Sequence, residues 1–400
     1  MLALAFLFCS YVFINLDVSF VDDNSVLKWI KAFQYALSGT DTSRRVPDSI
    51  LLVNTSYDNV FVPIREYYGD DYIEYGTRPI TDHQKLYRLL KLLKETDNYR
   101  YLMVDIAFLA ENKTTCTDSL YDLIASMRDI SVGKIDGKEM DSRIAAKSYD
   151  TSHKVSIFNS DYVKQPLFDG DEETLPYHVF SKLTGRHISR FGPFFYEGAH
   201  LARRSIYPNF SLVFHEQYPS EPENDEDEYV VQEAMYYNLG HDILDTYDRD
   251  TAEPLFRNKL IVIGDFAERD KHQTYAGVLS GPLILLNVVT SLSSDSHIIP
   301  YYILFILYII FFVIADNLLY QHFVPDPQAV LRIRNKLARN LVPLAILSTY
   351  YSLLLIVLCA IIYLVTGQAY DILFTGVIIG FAHWVIRLTR KNKSKNPENL

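Results

Sequence analysis

Apolar positions along this 400-residue chain fall into three patterns, and each predicts a different kind of element. The first is a short unbroken run rich in β-branched residues, seen at 49–54 (SILLVN), 101–108 (YLMVDIAF) and 260–263 (LIVI). Such runs, without polar alternation, read as strands buried on both faces. The second pattern is helical. Thr81-Asp82-His83-Gln84 offers a capping box, and Leu86, Leu89, Leu90 and Leu93 then fall on one helical face. Likewise Thr117 is placed to cap a helix carrying Leu120, Leu123, Ile124 and Met127. Strand, helix, strand, helix predicts a mainly parallel sheet with right-handed crossovers, an α/β fold. Residues 129–134 and 153–159 read as further strands, and 26–37, 176–183 and 233–244 as further helices. The tyrosine-rich stretch 57–76 reads as a hairpin or extended loop.

The third pattern is long and apolar. Residues 299–320 carry no charge before Asp316, 341–366 form a second run and 370–388 a third, so an α-helical transmembrane bundle is expected beside the α/β domain. Residues 1–17 are apolar but short. With no basic n-region and no A-x-A site they read as an anchor rather than a cleaved signal. The expected organisation is an anchor at 1–17, an extracytoplasmic α/β domain at 18–298, spans at 299–320, 341–366 and 370–388, a basic loop at 321–340 and a basic tail at 389–400.

Charge sets the orientation. Arg332, Arg334, Lys336 and Arg339 lie in the loop, and Arg387, Arg390, Lys391, Lys393 and Lys395 at the tail. Both therefore belong in the cytoplasm, with both termini inside and the large domain outside a plasma (inner) membrane. The chain carries −11 overall, and with these basic residues set aside the outer domain is more acidic still, which excludes nucleic acid as a partner. The acid run 221–228 (EPENDEDE) lacks the spaced ligands and glycine of a calcium loop and reads as solvated. Cys116 is the outer domain's single cysteine, so its stability rests on its core rather than on an intrachain disulfide.

The stretch 258–292 concentrates the candidate chemistry. A buried strand breaks at Gly264-Asp265, a polar loop follows with Asp270, His272 and Thr274, and an apolar helix runs over about 283–292 into the first long span. In an open parallel sheet, ligands bind beyond the carboxyl ends of the strands, where Asp105 and Asp265 both fall. Two carboxylates and a histidine there can bind a metal or move protons. The alternative is that Asp265 caps its own loop while Asp270 and His272 pin it. Arg78 can pair an anionic ligand or sit in a buried salt bridge. No hydrolase, zinc, P-loop or dinucleotide motif completes itself, and no cofactor or metal is expected.

These pieces together resemble the second type of CHASE domain, the cyclase- and histidine-kinase-associated extracellular sensors. The resemblance is carried by ILLVNTSYD, Arg78, YLMVDIAF, KLIVIGDFAERDKHQTYAG and SGPLILLNVVTSL followed by three apolar runs, over about residues 20–388. It implies an extracytoplasmic sensor that binds a small ligand, either as a monomer or as a homodimer. Members of that family continue into an effector, whereas here only the tail 389–400 follows, so a separate membrane or cytoplasmic effector is expected. Residues 293–298 are too few to be a slack tether, so the helix before them either pushes or rotates the span or serves as a rigid anchor. The alternatives are an envelope scaffold without enzymatic activity and, further off, a hydrolase using Asp105, Asp265 and His272.

Overall fold

The three β-branched runs pair side by side, in a computed structural model, as the middle of one six-stranded sheet. Its strands are β1 (Ile50–Asn54), β2 (Tyr101–Asp105), β3 (Ile130–Lys134), β4 (Ser148–Asp150), β5 (Tyr237–Asn238) and β6 (Leu260–Gly264). The order is β5-β1-β6-β2-β3-β4, and every pairing is parallel. Thus β6, the last strand in sequence, is inserted between the first two, with Leu260 opposite both Ile50 and Tyr101. The structure describes residues 1–16, 27–29, 46–68, 71–109, 114–135, 138, 140–151, 154–155, 162–212, 236–267, 269–320, 336–366, 368, 370 and 373–395. The predicted acid loop 221–228, most of helix 26–37 and most of strand 153–159 lie outside these residues.

Nine helices of eight or more residues are described: α1 (Leu2–Ile14), α2 (His83–Thr96), α3 (Thr117–Ser126), α4 (Leu175–Thr184), α5 (Arg249–Phe256), α6 (Gly281–Ser293), α7 (Tyr301–Tyr320), α8 (Lys336–Thr366) and α9 (Leu373–Lys395). Side chains alternate across the sheet, as strand geometry requires. Leu51, Val53, Leu102, Val104, Ile261 and Ile263 pack with α2, α3 and α5, where Leu86, Leu89, Leu90 and Leu93 are fully buried. At about 1.5–3 kcal/mol for each fully buried leucine, that stripe alone justifies the helix. On the other face Leu52, Met103 and Val262 meet α4 and α6. Helix α6 is buried nearly all round, which is why its sequence shows no polar stripe.

Local details depart from expectation in ways that chemistry explains. Asp82, not Thr81, caps α2, accepting from the Gln84 and Lys85 amides, because Thr81 is the last residue of a hairpin strand. Thr117 is the first residue of α3 rather than its cap, and its Oγ1 bonds Nδ1 of His83 at 2.8 Å. The described part of the predicted helix over 233–244, from 236 on, is instead β5 followed by a single π-turn, Leu239–Leu244, held to the sheet by Asn54. The polar loop after β6 contains a hairpin, Lys271–Thr274 against Gly277–Ser280. The tyrosine-rich stretch is a hairpin, Asn59–Tyr68 against Asp71–Thr81, with Phe61, Ile73 and Tyr75 exposed.

Two helical segments, Tyr301–Tyr320 and Leu344–Leu364, are long and apolar enough to cross a membrane. Phe305, Phe312, Val313, Leu353, Val357 and Ile361 on them are more than half exposed, unlike the core helices of a soluble protein. In the third predicted span the apolar part is only Thr375–Ile386, and at the N-terminus Leu2–Ile14 is shorter than a span. These four helices share one apolar cluster. Helices α8 and α9 meet at Gly376 and Gly380, where an added Cβ would stand 2.7 Å from the backbone nitrogens of Ser352 and Ser348. Such small-residue seams let apolar helices approach closely.

Candidate functional site

The carboxyl ends of β5, β1, β6 and β2 form one polar edge. Asn54, fully buried at the end of β1, stitches it together. Its Oδ1 accepts from the Ser56 amide at 3.2 Å, the Ser56 hydroxyl at 2.6 Å and the Phe266 amide at 3.0 Å, while its Nδ2 donates to Oδ1 of Asn238 at 2.9 Å. Asp58, two residues on from Ser56, accepts from Lys85 Nζ at 2.5 Å and the Gly240 amide at 2.9 Å. Asn54, Ser56 and Asp58 lie outside the site expected from the sequence, although a polar turn directly after a buried strand is the signal that marks them.

Asp265 belongs to this stitching. It accepts from the Ser56 hydroxyl and from the amides of Ala267 at 3.1 Å and Arg269 at 3.3 Å, so it organises its own loop. Thr274 is buried in the hairpin turn, donating to the Gly277 carbonyl at 2.8 Å. Arg78 stands on the long hairpin opposite Val62.

Asp105 and Asp270 are placed differently. Asp105 ends β2 on the α6 face of the sheet, in register with Gly264 of β6. On its other side is Gly133, where a Cβ would come within 3.3 Å of Asp105 Oδ1. A Cβ at Gly264 would collide with Pro282, the second residue of α6, so the helix N-terminus is seated directly on the strand end. A Cβ at Gly281 would in turn collide with the Asp270 carboxylate, and the Gly281 amide donates to the Asp270 carbonyl at 2.7 Å. The Asp270 carboxyl thus rests on the N-terminal end of α6, while the Asp105 carboxyl lies beside Gly133. Asp270 bonds Nε2 of His272 at 2.9 Å. Asp105 is partly accessible and makes no hydrogen bond or ion pair among the described residues. Burial first, and then the charge of Asp270, push its carboxyl well above the usual carboxylate range. The structure therefore brings Asp105, Asp270 and His272 near one another at the carboxyl edge of the sheet, while Asp265 and Thr274 organise the loop and hairpin around them. Among the described residues no group of three histidines, cysteines or acids is arranged to hold a metal ion.

Two connections run from these residues toward the apolar helices. One is α6, whose link to α7 is clamped to the domain. His297 is fully buried with Nε2 2.7 Å from Glu197, Arg186 bonds both Glu197 and Asp295 at 2.6 Å, and Ile299 donates to the Leu201 carbonyl at 2.8 Å. These contacts tie the α6–α7 link to the 186–201 segment. The other is the hairpin after Asp270. Its turn residue Tyr275 is buried in one apolar cluster with Tyr363 of α8, and Ala276 and Ala360 pack against the same cluster.

Compared with known protein families, with curated proteins and with solved structures, the chain matches none.

Proposed function

We propose that this protein is a membrane-anchored receptor, whose α/β domain takes a small ligand in the crevice beyond the sheet and relays its state through the apolar helices to a separate effector. The observation that carries the reading is the hairpin Lys271–Thr274/Gly277–Ser280. It starts directly after Asp270, carries His272, and at its turn shares an apolar cluster with Tyr363 of α8. A displacement at its base is transmitted to a helix long and apolar enough to lie in a bilayer. A ligand acts on such an element only through different affinities for its two positions. The basic residues of 332–339 and 387–395 support an arrangement with the sheet outside and both termini in the cytoplasm. The resemblance to CHASE sensors of the second type agrees with this reading in kind.

The test uses the full chain in lipid nanodiscs. A metabolite panel is screened by thermal shift, and any hit is followed by hydrogen exchange over 271–280 and 355–366. The expected hit is lost in Asp105→Asn, and in Tyr363→Ala it still binds but no longer alters exchange in α8. Exchange changes confined to the crevice, or no Asp105-dependent hit, would sink the receptor reading.

A scaffold reading has one observation of its own: Phe61, Ile73 and Tyr75 stand 71%, 51% and 56% exposed on the long hairpin. A scaffold predicts that serine at these positions abolishes partner capture while Asp105→Asn leaves it intact.

A further inference from the structure

The link between α6 and α7 contains a buried histidine that the receptor reading leaves without a task. His297 has no exposed surface and stands just before Tyr301 opens α7. The backbone around it is clamped to the domain. The Arg203 amide donates to the His297 carbonyl at 2.8 Å, the Ile299 amide donates to the Leu201 carbonyl at 2.8 Å, and Ile298 bridges to Ala202. The imidazole meets Glu197 at 2.7 Å through Nε2 and the Phe180 ring in a T-shaped contact at 5.3 Å. A carboxylate only accepts, so the proton of neutral His297 sits on Nε2. Nδ1 is then a bare lone pair, buried and without a partner among the described residues.

A second proton on that ring has nowhere to bond. It would place a charged N–H against protein atoms, where an unsatisfied donor costs most. The charged and titratable groups around the link offer Nδ1 no acceptor. Asp295 accepts from Arg186, which also holds Glu197, so the carboxylate beside His297 is already compensated. Arg203 turns to Gln368 at 2.8 Å and lies over the Tyr370 ring at 4.1 Å. His187 bonds Ser181 and His200 packs on Tyr301, both of them exposed. We propose that His297 is an acid-sensitive latch: neutral, it fastens the α/β domain to the first apolar span, and protonated, it leaves its pocket and the link opens. Burial, opposed by Glu197, holds the imidazole below its usual value of 6.5. The opened link therefore takes the proton first, so the latch is at full strength above pH 6.5 and weakens as pH falls below it. The latch goes beyond the receptor reading and stands whether or not the sheet edge takes a ligand, because it needs only this link.

The experiment is hydrogen exchange of the full chain in lipid nanodiscs from pH 8 to 5, each rate corrected for the intrinsic pH dependence of amide exchange. The reporters are the amides of Ile299 and Arg203, with residues 86–93 of α2 as the core reference. Expected is that the reporters exchange faster than the core, through a local opening, and lose protection by up to about tenfold for each pH unit below 6.5. In His297→Gln, which can still donate to Glu197 but takes up no proton, that loss should disappear. Exchange of the histidine C2 hydrogens reads the protonation of His297 in the wild type, and covers the case in which the variant does not fold. It should titrate in step with the loosening of the link. Reporter protection that is flat with pH, a loss that persists in His297→Gln, loosening that occurs only together with the core, or loosening while His297 stays neutral would each overturn the latch.

Discussion

Replacing Asn287 by alanine tests whether the polar positions of α6 hold the crevice in shape. Asn287 is fully buried in an otherwise apolar helix. Its Oδ1 accepts from the Leu212 amide at 2.9 Å, and its Nδ2 donates to the Leu212 carbonyl at 2.8 Å and the Leu283 carbonyl at 2.9 Å. The segment 208–212 lies on α6 and is satisfied by side chains. Tyr275 donates to the Pro208 carbonyl at 2.7 Å, and the Asn209 amide donates to Ser291 at 2.8 Å. Leu212 is only 3% exposed, so water cannot easily replace the lost amide. Two stranded backbone groups, at about 1–3 kcal/mol each, give Asn287→Ala a cost of about 2–6 kcal/mol. Ser291→Ala is the control. It frees the amide of exposed Asn209, which water can satisfy, and should cost less than about 1 kcal/mol. The assay is urea denaturation of the full chain in detergent, followed by circular dichroism, with hydrogen exchange across 208–212. If Asn287→Ala lies within about 1 kcal/mol of wild type and the Leu212 amide keeps its protection, the accounting is wrong.

The remaining predictions use the same sample. Asp105→Asn should stabilise the protein at neutral pH, because a carboxyl raised in the fold costs stability once ionised. Its advantage should be absent below the unfolded carboxylate value of 3.8 and grow as pH rises through and beyond it, so a pH-independent difference would refute the cause given. His83, buried against Phe108 and bonded to Thr117, is lowered by burial to about 4. The unfolded chain therefore takes up its proton first, and stability should fall as pH drops from 6.5 toward about 4, by about 3 kcal/mol. A pH titration of His83→Gln, which cannot protonate, should lack that component. Gly264→Ala should cost about 1–3 kcal/mol, because its Cβ meets Pro282 and the seating of α6 must shift. An unchanged melting temperature would show that the helix end is not seated as described.

What the sequence determined by itself is whatever depends on local periodicity. The unbroken runs at β1, β2 and β6 read as doubly buried strands because no polar residue interrupts either face, and all three are interior. The leucine stripe of α2 and the two long apolar segments follow equally directly from spacing and length. Tertiary structure decided what depends on which distant segments meet. Thr81 and Asp82 are both capping residues by type, and only the register of the hairpin, which pairs Thr81 with Asn59, gives the cap to Asp82. The stretch 233–244 has helical composition, yet the buried amide of Asn54 holds Asn238 at the sheet edge. Asn287 and Ser291 look like polar lapses in an apolar helix until segment 208–212 is laid against them. The division among the carboxylates is also non-local. Asp265 is occupied because Ser56 arrives from β1, while Asp105 is left open because glycines flank it on the strands to either side. A sequence encodes each side chain's capacity to bond, but pairing is settled by a strand order that inserts the last strand between the first two.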